Sequence, residues 1–153
     1  ATTAVSTDSL GNGVSGLMQN FSLTMELQKH VAAGQVENAF AVALGANHPE
    51  LLLWLCGKLD PKALGGPPPV SQIILISLIT QLSGDIESNP QLRLTWLRES
   101  LALLNPKDPL IAPNAQRILT AAGQKLQAFQ QLGDDVEPQT VSMLIFMVKK
   151  FLR

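Results

Sequence analysis

Charged residues are scarce in this chain, and the two signs are nearly balanced. Only 15% of the 153 residues are charged, and 11 basic against 12 acidic side chains give a formal net charge of −1. This balance provides no bulk field that favours nucleic acid or anionic lipid, although a local basic patch is still allowed. Because 46% of the residues are hydrophobic, the composition excludes a disordered or highly solvated chain.

Cysteine is almost absent. The single cysteine, Cys56, excludes an internal disulfide. Its neighbours Leu53, Trp54 and Leu55 are apolar, which favours a buried and inert thiol over a reactive one. This usage fits the reducing cytosol.

Long hydrophobic runs are also missing. The most apolar stretch, residues 73–79, is much shorter than the roughly 20 residues that a membrane-spanning helix needs. The start of the chain has no basic segment followed by an apolar one, so we expect no signal peptide. The sequence therefore predicts neither a membrane-spanning helix nor a signal peptide.

No combination of residues indicates catalysis. His30 and His48 are isolated, without the spacing of a metal site. The glycine-rich residues 11–16 follow no predicted strand and lack the lysine of a phosphate-binding loop. Asp85 and Glu87 fit a solvated helix end better than a general acid–base pair, which needs a desolvated cleft. We therefore predict a chain that is not an enzyme and has no cofactor, metal or small-molecule substrate.

Four pairs that place an acid or amide before proline divide the chain into short segments. Asp and Asn are favoured N-caps, Glu suits the positive end of the helix dipole, and proline fits the first helical turn. Apolar residues with helical spacing follow each pair. The pairs are Asp60-Pro61, Asn89-Pro90, Asp108-Pro109 and Glu137-Pro138.

The spacing predicts an all-α protein of seven to eight helices in antiparallel pairs, similar to a HEAT or armadillo α-solenoid. We expect the third helix, apolar on all sides, to be central, Gly45 to end the second, and Asn47 to cap the third. The expected elements are helices over residues 17–33, 36–44, 47–58, 70–86, 90–104, 109–132 and 138–152, with a single turn over 61–64.

Residues 1–16 are expected to be a flexible lead-in, and residues 17–153 a single helical interaction domain. The clearest joint is Gly65-Gly66-Pro67-Pro68-Pro69, which is stiff in its proline half. Such a joint either separates two lobes or turns a corner within one domain. We favour the corner.

Polar residues on the predicted helices are the candidates for partner binding. Arg93 lies three residues before Trp96, and an exposed aromatic beside arginine is a common interface anchor. The alternative is that Trp96 belongs to the core and Arg93 only covers it. Arg98 and Glu99 lie on the same helix. Two further cations, Arg117 and Lys125, are too far apart in sequence to form a patch unless helix packing brings them near Arg93 or Arg98.

The last helix presents a second face beside its core stripe. Methionine surfaces adapt to different partners, and cations suit a helix C-terminus. The alternative is that both faces pack in the core and only the basic end is in solvent. The residues of this second face are Met143, Phe146, Met147, Lys149 and Lys150.

Five segments in the same order resemble the C-terminal domain of the enhancer-of-mRNA-decapping scaffold family, which is called varicose in plants. The similarity covers most of the chain from about residue 17, although the glutamine-rich part of the long helix and the Lys149-Lys150 ending match less well. The segments are VENAFAVAL (36–44), LWLC (53–56), LISLITQL (75–82) with DI (85–86), LRLTWL (92–97) and DPLI (108–111).

The resemblance implies a cytoplasmic scaffold without an active site. It would dock decapping-complex or 5′–3′ exonuclease proteins and concentrate in processing bodies, and self-association is a further expectation. On the family's pattern Arg93 and Glu99 are contact residues, Trp96 a core residue and Asp108 a cap. Direct RNA binding is the competing hypothesis, which the near-neutral charge disfavours. Membrane association is a third, weakened by the absence of a strongly basic amphipathic face.

Overall fold

A computed structural model describes residues 21–46, 48–66, 69–132 and 138–152. Helix α1 occupies residues 21–32, and six further α-helices and one 3-10 helix follow. No strand occurs in these ranges, so the prediction of an all-α fold is confirmed. The later helices are α2 (Val36–Ala46), α3 (Pro49–Lys58), α4 (Gln72–Gly84), α5 (Pro90–Leu103), α6 (Ala112–Gln131) and α7 (Pro138–Phe151), with the 3-10 helix at Pro61–Gly65 between α3 and α4.

The helices from α2 onward stack in two layers. Consecutive helices pack as the pairs α2–α3, α4–α5 and α6–α7. Each helix also contacts the helix two places further along, so α2, α4 and α6 form one layer and α3, α5 and α7 the other. This is the arrangement of an α-solenoid, as predicted from the rhythm of helix pairs.

Helix α4 is at the centre of the stack, because it packs against α2, α5 and α6. It is apolar on nearly every side, and Leu75, Leu78, Ile79 and Leu82 are buried. The prediction that α3 is central is wrong, since Leu53 and Trp54 are only half-buried there.

Contacts cross the Gly/Pro joint. Helix α2 packs against α4, and the backbone N–H of Ser71 donates to Glu37 Oε1 at 2.6 Å. The Phe40 and Trp96 rings meet at 5.4 Å between centroids and belong to the same buried cluster. These contacts support the proposal that the joint turns a corner within one domain.

The predicted helix ends are confirmed in part. Asp60 caps the 3-10 helix and accepts a hydrogen bond from the Lys62 N–H at 2.9 Å. Asn89 precedes α5 but is left-handed (φ 60°) and its side chain makes no capping bond. Asp108 accepts from the Leu110 N–H in the turn before α6, which begins later than predicted.

Three other capping predictions have different outcomes. Gly45 lies inside α2, so the prediction that it ends this helix is wrong. The position before α3 is His48, without a side-chain bond, and Asn47 is outside the described residues, as is Glu137. The lead-in over residues 1–16 is outside them too.

Candidate interaction surface

The residues considered for chemistry are isolated or solvated. His30 Nδ1 contacts Gln35 Oε1 at 2.8 Å, and Asp85 and Glu87 are both exposed. Within the described ranges, no three His, Cys, Asp or Glu side chains are grouped so that they could hold a metal. Cys56 is 1% exposed, and burial raises the pKa of its thiol to about 12, against the opposing effect of Arg93. The thiol is therefore neutral and buried, as predicted.

Arg93 is an internal residue, and the prediction that it contacts a partner is wrong. The side chain is 3% exposed. Its Nη1 donates to the carbonyls of Gln81 (3.1 Å) and Leu82 (3.0 Å), and its Nε to that of Ser88 (2.5 Å). Gln81 and Leu82 lie in the last turn of α4, where carbonyls exceed the available intrahelical donors and the dipole is negative. Arg93 therefore caps α4 from the neighbouring helix.

Burial also affects the acid–base behaviour of Arg93. Desolvation lowers the pKa of its guanidinium, while Asp85 and Cys56 act in the opposite direction. In the described part of the chain no carboxylate forms an ion pair with Arg93. Its charge is therefore stabilised mainly by backbone carbonyls.

The other candidates on α5 differ from one another. Trp96 is fully buried, which confirms that it belongs to the core. Arg98 is exposed and its Nη2 lies 3.9 Å from Glu99 Oε1, and Glu99 is half-buried. These two remain available at the surface.

Helix packing does not bring Arg117 and Lys125 together. Arg117 is exposed beside Gln116, and its Nη2 lies 3.4 Å from Asn114 Oδ1. Lys125 borders a small cleft that Asp85 and Glu87 of the α4–α5 turn also line. The two cations therefore face different surroundings.

Helix α7 has the two faces that its sequence suggested. Its predicted core stripe is buried at Val141, Leu144, Ile145 and Val148, whereas the last predicted member, Leu152, is half-buried. On the outer side Met143 is 40% and Phe146 62% exposed, and Lys149 and Lys150 are exposed as well. These four residues are called the α7 face below. Met147 is the exception to the prediction, because it is half-buried and packs against the core.

A cleft of about 430 Å³ adjoins the C-terminal end of α7 and was not predicted. We call it the basic cleft. One signal was present in the sequence: neither α6 nor α7 contains an Asp or Glu, whereas together they carry Arg117, Lys125, Lys149 and Lys150. The residues that define it are Lys107, Ala115, Gln116, Leu119, Lys150 and Phe151.

The described part of the chain is thus a stacked-helix domain, and the α7 face and the basic cleft are two of its exposed features. None of its helices is both long enough and apolar enough to cross a bilayer.

The family model described as "Enhancer of mRNA-decapping protein 4, C-terminal" matches residues 27–144. Since this range is most of the chain, the chain belongs to that family. The resemblance noted in the sequence is thereby confirmed.

Individual relatives agree with this assignment. The chain is 37% identical over 108 residues to Enhancer of mRNA-decapping protein 4 of Xenopus laevis. This match covers 69% of this chain and 8% of the Xenopus protein. Identity to the Homo sapiens protein is 35% over 100 residues, a match that covers 64% of this chain and 7% of that protein. Identity to the Drosophila melanogaster homolog is 30% over 111 residues, or 71% and 8%. The chain therefore spans less than a tenth of these relatives.

A solved structure shares the fold. The crystal structure of the conserved C-terminal region of Ge-1 matches with a TM-score of 0.77 and 25% sequence identity. The match covers 85% of this chain and 98% of the other. The helical architecture is therefore that of a known domain.

Proposed function

We propose that this chain is a non-catalytic interaction and localisation domain of a cytoplasmic mRNA-decapping scaffold. It docks decapping or 5′–3′ decay factors and directs the scaffold to processing bodies. The observation that carries this proposal is the family match over residues 27–144, since the relatives are named enhancers of mRNA decapping.

The α7 face is the docking surface that we favour. Phe146 offers a large aromatic surface, and aromatic side chains are common anchors of protein interfaces. Met143 lies three residues earlier on the same face, and its flexible thioether adapts to different partners. Arg98, Glu99, Arg117 and Lys125 remain secondary candidates because they do not lie on this helix.

The experiment compares two double variants, each of which replaces one methionine and one phenylalanine by serine, on different helices. Met143→Ser with Phe146→Ser alters the α7 face, whereas Phe21→Ser with Met25→Ser alters α1, where Phe21 is 68% and Met25 45% exposed. All four side chains are exposed, so each pair should change the free energy of unfolding by no more than about 1 kcal/mol. Binding to purified decapping enzyme, its activators and the 5′–3′ exonuclease is measured, together with recruitment of a fluorescent fusion to processing bodies.

We expect the α7 variant to lose binding and recruitment and the α1 variant to keep both. Equal behaviour of the two variants would remove the assignment to α7. A parent chain that binds none of these factors and does not enter processing bodies would refute the function itself. Direct RNA binding, the competing function, is recognised by an affinity for RNA that falls steeply as the salt concentration rises.

A further inference from the structure

The basic cleft collects side chains from three elements. Lys107 comes from the loop between α5 and α6, and Lys150 from the last turn of α7. Ala115 and Leu119 are buried residues of α6 and give the cleft an apolar floor. Its volume of about 430 Å³ lies at the small end of ligand pockets, enough for one or two side chains of a bound segment.

The two positive charges of the basic cleft are only partly offset by the described residues. No Asp or Glu lines it, and neither lysine forms an ion pair within the described ranges. Asp108 follows Lys107 directly and offsets at most one of the two lysine charges, while its Oδ1 accepts from the Leu110 N–H at 2.9 Å. The negative end of the α7 dipole corresponds to only about half a charge. A net positive charge therefore remains for a ligand.

Apolar surface continues outward from the basic cleft. Phe146 precedes Lys150 by four residues, which places the two side chains on the same side of α7, roughly one turn apart. Met143 extends this surface by another turn. A ligand that spans both parts needs negative charge and apolar side chains close together.

We propose that the basic cleft binds an acidic and apolar peptide segment of a partner protein. A carboxylate lies between Lys107 and Lys150, and an apolar side chain of the segment packs against Phe146. This inference rests on the proposed function and adds the chemistry of the docked segment. RNA is a poorer match, because binding to its backbone needs a row of cations along several phosphates and the cleft provides two.

The test uses the purified chain and a phage-displayed library of random 12-residue peptides. Selected peptides are synthesised with a fluorescein label, and their affinities are measured by fluorescence anisotropy. We expect them to combine Asp or Glu with Leu, Ile or Phe. Lys107→Gln with Lys150→Gln should weaken binding about tenfold or more, while arginine at both positions should preserve it.

The matched control is Lys29→Gln with Lys62→Gln, which removes the same charge from exposed positions on α1 and the 3-10 helix. Binding should be unchanged in this variant. The inference is overturned if no peptide is selected, if the selected peptides lack acidic residues, or if the Lys107 and Lys150 glutamine variant binds them as well as the parent. Tighter binding of a labelled uridine 12-mer through the same two lysines would overturn it too.

Failure of this inference is distinguishable from failure of the proposed function. A chain that binds decay factors through the α7 face but selects no acidic peptide leaves the proposed function standing. A chain that selects acidic peptides yet neither binds a decay factor nor enters processing bodies refutes the proposed function and keeps the chemistry of the cleft.

Discussion

Replacing Arg93 by methionine removes a buried charge and three hydrogen bonds from the end of α4, while most of the side-chain length is kept. The bond to the Leu82 carbonyl is buried, and those to the Gln81 and Ser88 carbonyls are part-buried. Water can therefore replace the guanidinium at Gln81 and Ser88, but not readily at Leu82.

The expected loss follows from these three bonds. A bond to a charged group contributes about 1.5–3 kcal/mol, and one that water can replace contributes about 0.5–1.5 kcal/mol. We expect Arg93→Met to lower the free energy of unfolding by about 3–5 kcal/mol. Because 1 kcal/mol shifts the Tm of a domain of this size by about 2–4 °C, the Tm should fall by roughly 6–20 °C.

Urea denaturation and calorimetry measure this loss, and Arg98→Met is the matched control. Arg98 belongs to the same helix, but its side chain is 53% exposed and its only ion contact, among the described residues, is 3.9 Å long. The control should therefore change the free energy of unfolding by about 0.5 kcal/mol or less. If both variants unfold at the same urea concentration, the capping of α4 by Arg93 does not stabilise the fold.

Two further substitutions test packing and burial. A Cβ at Gly123 would lie 3.1 Å from Val148 Cγ1, whereas nothing lies within 4 Å of one at Gly57. In urea denaturation Gly123→Leu should therefore be about 2–3 kcal/mol less stable than Gly57→Leu, and equal stabilities would show that α6 and α7 separate easily. Burial raises the pKa of Cys56 to about 12, so above about pH 8.5 the unfolded chain loses a proton that the folded chain keeps. The stabilisation is complete below that pH and falls by about 1.4 kcal/mol per pH unit up to the folded pKa. Between about pH 8 and 11, urea denaturation should show that the free energy of unfolding falls more steeply with pH for the parent than for Cys56→Ala. Parallel curves would contradict the raised pKa of the buried Cys56 thiol.

Helices were predictable because their signals are local. Apolar spacing located every described helix, and α3, α5 and α7 end within one residue of the predicted positions. The start of α6 was placed too early, because residues Asp108 to Ile111 form a turn of their own before the helix begins.

The roles of single polar side chains depended on contacts between distant segments. The sequence pattern of α5 predicts that Arg93 is exposed. It is buried only because the C-terminal end of α4 packs against it. Asn89 takes the left-handed conformation in the turn that Arg93 holds through Ser88. Neither the turn nor the burial has a local signal.

The basic cleft illustrates the same limit. Lys107 and Lys150 are 43 positions apart in the sequence and line the same cleft because the α5–α6 loop reaches the end of α7. The sequence does show that α6 and α7 have no Asp or Glu, but the net charge of the whole chain does not reveal this local excess of cations. Met147 was misplaced for a smaller reason, since it lies at the border between the core stripe and the outer face.

The two-layer stack has a consequence for how a ligand and the fold influence each other. Helices α6 and α7 are the last described pair and rest on α4 and α5 from one side only. In such arrays terminal units open at a lower free-energy cost than the middle ones. A ligand bound in the proposed basic cleft would stabilise this pair, so hydrogen exchange should slow in α6 and α7 while α4 keeps its own rate.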